Sequence, residues 1–477
     1  METLQRTANR GSVPTGYDVD NSVKLDRLNA EKLQFTFDQA ATNLKKNTLS
    51  IWFKRNVIGV NQGLYQFGDD ASGEHTYIRF TSSDDKGFLR GNFGSNVQFL
   101  LTTQSFRDTS AWYHLVVAWD TTQSTASDRL KVYLNGSEIT AFDTDNRSSV
   151  IPLNHDTPNG ENGKSVIIGE GVYDISAYIA ETNFVDGQAL APTSFGEFDS
   201  GSGIWKPKEY TGTYGNNGFY LDFKNSSNLG EDQSGNNHDF TLNNISAADQ
   251  ATDTPTNNFA TLNNLLVSHN NLIATNGATL ISGTNAWSGY KSTIGLRKGK
   301  WYWEIELATG GGNADMIVGV QDDGSIARYD NADAHTVGYK YFLYYTAGGY
   351  RFYTNSSGNN VDDSSSTSIS GIAEGDIIGI ALNLDDNEIS FYKNGSIFNS
   401  YEDLDLGALG TSSLYDGFVF PAFVNYSSLR EQHVNFGGFT SSKPASAASD
   451  ANGYGSFEYS PPSNYYSICS QNLALYG

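Results

Sequence analysis

The sequence has few of the features that a disulfide-bonded or membrane-spanning protein requires. Its 477 residues include one cysteine, Cys469, which cannot form a disulfide within the chain. Nothing in the cysteine content therefore requires an oxidising compartment. No apolar run approaches the roughly 20 residues that a membrane-spanning helix needs. The sequence thus argues against a disulfide scaffold and predicts no membrane insertion.

Basic residues are also scarce. The 30 lysines and arginines face 53 aspartates and glutamates, which gives a formal net charge of −23. Such a chain repels phosphate backbones and anionic headgroups, so nucleic acid and membrane surfaces are excluded as expected partners. The first residues, METLQRTANRGSVPTGYDVD, lack the apolar segment of a secretory signal. We expect a protein made in a cytoplasm that leaves the cell within a particle or after lysis.

Aromatic residues and glycine are abundant by contrast. The chain contains 28 Tyr, 27 Phe, 7 Trp and 49 Gly, but only 2 Met. Aromatic rings bury large areas, and glycine suits tight turns between short strands. The length exceeds what one hydrophobic core organises. The composition therefore predicts an all-β protein with more than one domain.

Alternation of apolar and polar residues marks the strands of a first domain. It is clear in LSIWFKR, TYIRFTS, FLRGNF, WYHLVVAWD and RLKVYLNG, which we assign to a sandwich over residues 45–200. Residues 1–44 are predicted to form a polar arm and a first strand. Residues 201–267 combine Gly, Asn and Ser with regularly placed rings, which predicts an ordered, loop-rich aromatic connector.

A second set of strand patterns follows the connector. KWYWEIEL, TVGYKYFLYY, DIIGIALNLDD, EISFYKNG and FVFPAFVNY predict a second sandwich over residues 268–440, with a C-terminal tail at 441–477. The stretches Leu130–Ser137 and Ile389–Ser396 both run from alternating apolar residues into Asn-Gly, a strong hairpin signal. The predicted fold is two antiparallel, jelly-roll-like β-sandwiches joined by the connector.

Two segments resemble known domain families. Residues 45–196, through SAWYHLVVAWDTTQSTASDRLKVYLNG, resemble laminin-G/concanavalin A-like domains. Residues 268–437 resemble SPRY domains, through GKWYWEIEL and EGDIIGIALNLDDNEISFYKNG. Both families are binding scaffolds of two packed antiparallel sheets, so the resemblance implies binding, although a fold alone does not fix a function.

Shorter motifs resemble large proteins of marine tailed phages. They are SVPTGYDVDNS, GFYLDFKNSSNLGEDQSGNNHDF and FEYSPPSNYYSICSQNL. The resemblance implies a non-enzymatic virion surface protein (a fibre, tail or capsid decoration component) that is assembled in the host cytoplasm. Its expected partners are other virion proteins, further copies of itself and host surface glycans. A purely structural decoration or connector protein is one alternative.

No catalytic constellation is evident, so no catalytic residue is predicted. The seven histidines are scattered and lack metal-ligand spacing. The other alternative is a polysaccharide depolymerase, which needs two carboxylates about 5–10 Å apart across the sugar. Glu304 and Glu306 share one face of a predicted strand, whereas Glu402, Asp403 and Asp405 fall in a predicted loop.

Exposed rings in loops are natural contacts for sugars or proteins, because they offer stacking surfaces beside polar donors. The ligand-binding candidates are Trp287, Tyr290, Tyr344, Tyr345 and Tyr350. Strand alternation turns about half of such residues inward, which is the competing interpretation.

Calcium at the sandwich rim is implied by the laminin-G resemblance. Calcium takes six to eight oxygen ligands, and the candidates are Asp69, Asp70 and Asp232. The competing interpretation is that these aspartates cap backbone turns.

The two chain ends prompt an expectation about assembly. Residues 1–35 have few apolar positions, and the tail carries several tyrosines beyond both predicted sandwiches. Such rings would lower solubility if they stayed in water. We therefore expect at least one end to dock onto another subunit.

Overall fold

The computed structural model describes residues 16–68, 73–93, 96–169, 173–265, 274–282, 288–310, 316–322, 339–346, 349–354, 361–362, 373–398, 401–406, 417–425, 430–442 and 444–477. Strands account for 42% and helices for 6% of the structure, which confirms the predicted all-β class. The chain divides into a first unit that ends at Asn257 and a second unit from Asn258 to Gly477.

The strands of the first unit range from two to ten residues in length. They are β1 (Ser22–Leu25), β2 (Lys32–Thr36), β3 (Lys46–Arg55), β4 (Gln62–Gly68), β5 (His75–Phe80), β6 (Lys86–Asn92), β7 (Asn96–Ser105), β8 (Tyr113–Asp120), β9 (Leu130–Leu134), β10 (Ser137–Glu138), β11 (Phe142–Asp145), β12 (Ser165–Ile168), β13 (Ala177–Asp186), β14 (Gly196–Phe198), β15 (Trp205–Pro207), β16 (Phe219–Leu221), β17 (Thr241–Asn243) and β18 (Gln250–Ala251). Helix α1 spans Arg147–Val150, and single 3-10 turns occur at Arg27–Asn29, Ala126–Asp128, Pro192–Ser194 and Ala247–Asp249.

Two antiparallel sheets enclose the core of the first unit. Sheet I runs β10-β9-β8-β3-β13-β1-β18, with β16 also paired to β13, and sheet II runs β11-β7-β6-β5-β4-β12-β2-β17. Alternate residues of both sheets turn inward and form one apolar cluster that includes Phe53, Phe67, Trp119 and Ile179. Strands β14 and β15 form a separate ribbon.

The first unit is larger than the predicted sandwich. Strand β1 pairs with β13 and with β18, and β2 pairs with β12 and β17. Val23 and Leu33 are fully buried in the core, together with Phe219 and Phe240 from the predicted connector. The predicted boundaries at residues 44 and 201 are therefore wrong, because both flanking segments supply strands and core side chains to the same unit.

The second unit is built in the same way. Its strands are β19 (Leu280–Ser282), β20 (Ser288–Lys291), β21 (Lys300–Gly310), β22 (Met316–Asp322), β23 (Tyr339–Thr346), β24 (Gly349–Thr354), β25 (Val361–Asp362), β26 (Ile377–Asn383), β27 (Glu388–Lys393), β28 (Ser396–Ile397), β29 (Leu404–Asp405), β30 (Val419–Asn425), β31 (Arg430–Asn435) and β32 (Tyr466–Ser467), and helix α2 spans Ser470–Tyr476. Sheet III runs β19-β31-β21-β26-β27-β28, and sheet IV runs β20-β30-β22-β23-β24-β25. No helix among the described residues is long and apolar enough to cross a membrane.

The C-terminal segment, residues 444–477, packs within the second unit. Strand β32 pairs in parallel with β21, and Leu473 of α2 lies in the core. Phe457 is fully buried against Tyr302, and Cys469 is fully buried as well. The basis for predicting a docking tail is therefore wrong for these residues, because their own unit already covers Phe457 and Tyr466.

Both Asn-Gly hairpin turns lie where the alternation predicts them. Asn135 and Gly136 have φ of 47° and 81°, and Asn394 and Gly395 have φ of 48° and 77°. Asn and Gly adopt this left-handed region most readily. The first turn connects β9 to β10 and the second connects β27 to β28.

Candidate functional site

A cleft opens on the outer face of sheet I in the first unit. Leu130 and Val132 of β9 turn into the core, so Lys131 and Tyr133 turn outward. On the neighbouring strand β8, Ala118 lies opposite Lys131, and Val116 lies opposite Tyr133. The alternation along β9 thereby places an aromatic ring and an ammonium group on one surface.

The cleft has a volume of about 450 Å³, within the range of about 300–1,000 Å³ typical of small-molecule sites. Strands β8 and β9, the loop between them and a segment that follows β13 form its walls. The lining residues are Ala118, Asp120, Gln123, Asp128, Lys131, Tyr133, Ala189, Leu190 and Ala191. We call this site the Tyr133 cleft.

Tyr133 lines the cleft and is half-buried. Its ring packs against a small apolar cluster that contains Val116, Val185 and Leu190. Burial raises the pKa of its hydroxyl, and the nearby Glu138 carboxylate raises it further. The side chain therefore stays neutral and presents a ring and a hydroxyl to the cleft.

Asp120 lies at the end of β8 and is held by several donors. One carboxylate oxygen accepts from the backbone N–H and the hydroxyl of Thr122, and the other accepts from Nε2 of Gln123 at 2.7 Å. The ammonium of Lys46 lies 3.2 Å away. Burial alone would raise the pKa of Asp120, but these hydrogen bonds outweigh burial and lower the pKa. Asp120 is thus a fixed, ionised acceptor.

Lys131 lies between two carboxylates. Its Nζ is 3.5 Å from Asp128 and 3.4 Å from Glu138. About a third of the Lys131 side chain and 44% of the Asp128 side chain are exposed. The pKa of Lys131 is raised, because the attraction of Glu138 and its hydrogen bond outweigh the partial burial of the ammonium.

The third wall is set by contacts from a distant part of the chain. The hydroxyl of Thr48 on β3 donates to the carbonyl of Gln188 and accepts the backbone N–H of Leu190, both at 2.8 Å. Nε2 of Gln188 donates to the carbonyl of Thr213 at 2.9 Å. These bonds hold residues 189–191 against sheet I and define the width of the cleft.

The arrangement offers the groups that recognise a sugar. A sugar presents an apolar ring face and several hydroxyls, and it is commonly recognised by an aromatic ring flanked by polar groups. The Tyr133 cleft offers a tyrosine ring, two carboxylates, an amide and an ammonium.

The residues predicted to bind ligand lie elsewhere. Tyr290 is on β20, opposite Phe423, and only 1% of its surface is exposed. The prediction of an exposed ring at Tyr290 is wrong, because strand pairing turns it into the core of the second unit. Tyr344 lies on β23, and Tyr345 pairs with Tyr350 across β23 and β24. Their side chains and all of Trp287 lie outside the described part of the structure.

Asp232, one of the calcium candidates, caps a turn. Its carboxylate accepts the backbone N–H of Tyr220, Ser234 and His238 at 2.8–2.9 Å, and the Ser234 hydroxyl at 2.8 Å. Asp69 and Asp70 lie outside the described residues. Within the described ranges, no group of three or more His, Cys, Asp or Glu side chains is placed to hold a metal ion.

Glu304, the depolymerase candidate, lies under the C-terminal segment. It is 2% exposed, and its two oxygens accept the backbone N–H groups of Glu458 and Tyr459 at 2.8 Å each. Burial raises its pKa to about 7, although these hydrogen bonds lower it. The carboxylate anchors the segment and has no open face toward a sugar.

A buried Ser–His pair is also present under the β14–β15 ribbon. Nδ1 of His114 accepts the indole N–H of Trp205 at 2.9 Å, so the Nε2–H of His114 donates to Ser50 Oγ at 2.8 Å. A histidine that donates to the serine cannot act as its base. Both side chains are fully buried, and the contact serves packing.

The cleft was not predicted from the sequence, although Lys131 and Tyr133 lie in a strand that was predicted. Lys131 and Tyr133 belong to the hairpin LKVYLNG, whose outward positions follow from the alternation. The signal that could have identified them is a ring and a charge at consecutive outward positions of one strand. Residues 189–191 give no such signal, because their place depends on long-range contacts with Thr48.

Comparison with protein families gives one match in each unit. A model described as the concanavalin A-like lectin/glucanases superfamily matches residues 29–187, and a SPRY domain model matches residues 300–438. The chain therefore carries a concanavalin A-like domain, which contains part of the Tyr133 cleft, and a SPRY domain. The first match begins earlier than residue 45, as β1 and β2 also indicate.

The solved structures that the comparison found share little sequence with this chain. The SPRY domain of human HERC1 is 18% identical, with a TM-score of 0.23, over 36% of this chain and 96% of that chain. A putative carbohydrate binding protein from Bacteroides ovatus is 14% identical, with a TM-score of 0.33, over 48% and 59%. Domains LG4-5 of the mouse laminin alpha1 chain are 10% identical, with a TM-score of 0.28, over 87% and 89%. No curated protein matches the chain.

Proposed function

We propose that this is a non-enzymatic carbohydrate-binding protein whose concanavalin A-like domain binds glycans in the Tyr133 cleft. The observation that carries the proposal is the cleft itself, which has a volume of about 450 Å³ and is lined by a tyrosine ring and by carboxylate, amide and ammonium groups. The ring supports stacking on a sugar face, and the polar groups support hydrogen bonds to hydroxyls.

The pKa values of Asp120 and Glu304 support glycan binding without cleavage. Glycoside hydrolysis needs one carboxylic acid of raised pKa to protonate the leaving group. Asp120 has a lowered pKa, because its oxygens accept from Thr122, Gln123 and Lys46. Glu304, whose pKa is raised to about 7, lies in the second unit beneath residues 458 and 459.

The setting that we propose is the surface of a phage particle, as a fibre, tail or capsid decoration component assembled in the host cytoplasm. Its support is the resemblance of SVPTGYDVDNS and FEYSPPSNYYSICSQNL to proteins of marine tailed phages. In that setting the cleft would contact host surface glycans, and copies of the chain and other virion proteins would be its partners. Mass spectrometry and immunogold labelling of purified particles test this placement.

The binding proposal is tested with the full-length protein on an array of immobilised neutral, amino and acidic oligosaccharides. Wild type is expected to bind a subset, and Tyr133→Ala is expected to lose that binding by about tenfold or more, since a buried aromatic contact contributes on the order of 1–3 kcal/mol. The matched control is Tyr392→Ala, which removes a partly buried ring from the second unit. Equal binding by wild type and Tyr133→Ala would overturn the assignment of the cleft.

A calcium ion bound at Asp69 and Asp70 stays a prediction. Calorimetric titration of the metal-free protein with Ca²⁺ tests it, with Asp69→Asn as the variant. Heat that is unchanged in the variant would contradict it.

A further inference from the structure

The charges that line the Tyr133 cleft are unequal. Two carboxylates, Asp120 and Asp128, face one ammonium, Lys131. Lys131 is drawn toward a third carboxylate, Glu138, which is 3.4 Å away, and it lies slightly farther from Asp128, at 3.5 Å. The cation within the cleft is thus already engaged by acidic groups on both sides.

The two carboxylates of the cleft differ in their capacity to accept further hydrogen bonds. Asp120 receives four donors from Thr122, Gln123 and Lys46. Asp128 forms a long ion pair with Lys131, at 3.5 Å, and 44% of its side chain is exposed. Asp128 is therefore the acceptor in the cleft with room for a ligand's donor.

Among the described ion pairs, neither of the other nearby cations contacts Asp128 directly. The guanidinium of Arg129, the next residue, donates to the backbone carbonyls of Gln123, Ser124 and Ile151 at 2.7–3.1 Å. Lys46 is engaged by Asp120. A ligand that brings a positive charge would therefore meet an incompletely paired carboxylate, whereas an acidic ligand would have to displace Lys131 from two partners.

We propose that the Tyr133 cleft selects glycans whose recognised unit is a hexosamine with a free amino group, with the ammonium at Asp128 and the sugar ring at Tyr133. This inference rests on the proposed function and adds the class of sugar. Charge complementarity gives the preference, and the overall charge of −23 repels acidic glycans at longer range.

The test is isothermal titration calorimetry of the full-length protein at low ionic strength with two matched probes. The glucosamine hexamer and cellohexaose differ at C2, where one carries an ammonium and the other a hydroxyl. The glucosamine hexamer is expected to bind about fivefold tighter, as for one partly exposed ion pair, and added salt should reduce the difference.

Two variants separate the cleft from general charge effects. Asp128→Asn is expected to lower the affinity for the glucosamine hexamer to that for cellohexaose and to leave cellohexaose binding unchanged. Asp143→Asn removes the same charge from sheet II, where Asp143 pairs with Lys86 at 2.6 Å, and it should alter neither affinity. An equal loss in both variants would overturn the proposal.

Three further outcomes are decisive. If both sugars bind equally and Tyr133→Ala abolishes both, the proposed function stands and the hexosamine preference is wrong. If hexalysine binds as tightly as the glucosamine hexamer and loses its affinity in Asp128→Asn, the cleft recognises cations without selecting a sugar, which also overturns the inference. If none of the sugars binds at any salt concentration, the proposed function itself fails.

Discussion

The indole Nε1–H of Trp205 donates to Nδ1 of His114 across a distance of 2.9 Å, although 91 positions separate the two residues in the chain. The bond ties the β14–β15 ribbon to the outer face of sheet I. It also fixes the tautomer of a fully buried histidine, whose ring stacks on Trp52 at 4.5 Å.

Replacing Trp205 with phenylalanine should destabilise the first unit by about 1–3 kcal/mol, because Nδ1 of His114 then becomes a buried acceptor without a donor. Urea unfolding measures the change. Trp119→Phe is the matched control, since Nε1 of Trp119 has no hydrogen-bond partner within the described residues and its loss removes ring volume alone. Equal losses in the two variants would show that the hydrogen bond contributes nothing.

The buried histidine should make the first unit sensitive to acid. Burial lowers the pKa of His114 from 6.5 to about 3, so between these values the unfolded chain binds a proton that the folded chain does not. Stability should therefore fall as the pH drops from about 6.5 toward 3, by on the order of 5 kcal/mol in total. His114→Gln can make both hydrogen bonds without titrating, and its unfolding free energy should lose this slope. An unchanged slope would contradict the prediction.

Gly136 should tolerate a side chain poorly. Its φ is +81°, and a Cβ would overlap the ring of Trp205. Gly163 has the same φ with open space around it, so Gly163→Ala isolates the backbone strain, about 1–2 kcal/mol. Gly136→Ala should be destabilised by a further 1–3 kcal/mol or so, because the ring must move. Matched chemical denaturation of both variants measures the difference, and equal losses would exclude the steric term.

Glu181 should give a pH dependence of opposite sign to that of His114. Tyr17 and Tyr220 donate to its carboxylate at 2.8 and 2.9 Å, but burial outweighs these bonds and raises its pKa from 4.5 to about 7. The folded chain holds this proton more tightly, so stability should fall by about 3 kcal/mol as the pH rises from 4.5 through 7.

Glu181→Gln should flatten this dependence and be relatively more stable at pH 8. Unfolding followed at pH 5 and pH 8 measures it. The control is Glu304→Gln, which removes a carboxyl of similarly raised pKa from the second unit. It should leave the pH dependence of unfolding of the first unit unchanged. If Glu181→Gln retained the wild-type slope, the titrating group would lie elsewhere.

The C-terminal segment should resist proteolysis in isolated protein. Asp450 accepts the backbone N–H and hydroxyl of Ser467 and the amide of Asn472 at 2.8–2.9 Å, and Glu304 holds residues 458 and 459. Limited chymotrypsin digestion with mass mapping is expected to leave residues 444–477 intact, although the segment contains several Tyr and Phe residues. Rapid loss of this segment from a monomer would restore the idea that it docks on another subunit.

Much of the fold follows from local pattern. Residues in β8, β9, β26 and β27 alternate clearly, and Asn135-Gly136 and Asn394-Gly395 specify their own turns, so the strands and hairpins were predictable. These signals need no information from distant residues.

The limits of the first unit could not be predicted in this way. Lys24 and Glu31 make residues 1–44 look like a solvated arm, yet both are buried. Nζ of Lys24 lies 2.9 Å from Glu31 and 2.7 Å from Asp249. A charge is tolerated inside a protein when it is paired, and here one partner lies more than 200 residues away. Composition read locally cannot show that pairing.

The prediction of the binding residues failed for a related reason. Tyr290 stands among turn-forming residues and was predicted to be exposed, but pairing with Phe423 buries it. The cleft around Tyr133 needs a wall that Thr48 positions through Gln188 and Leu190. Binding surfaces built from several distant segments leave no contiguous motif.

The pairing of β1 with β18 has a consequence for how the chain is made. Residues 22 and 23 lie beside residues 251 and 250, so the first unit is closed by nearly its last residues. A chain that leaves the ribosome from its N-terminus must expose the edge of β1 until about 230 further residues have been synthesised. Such non-local closure is slow and leaves an unpaired strand edge open meanwhile. This protein is therefore most prone to aggregate when many nascent copies coexist, and slower synthesis at lower temperature should raise its soluble yield.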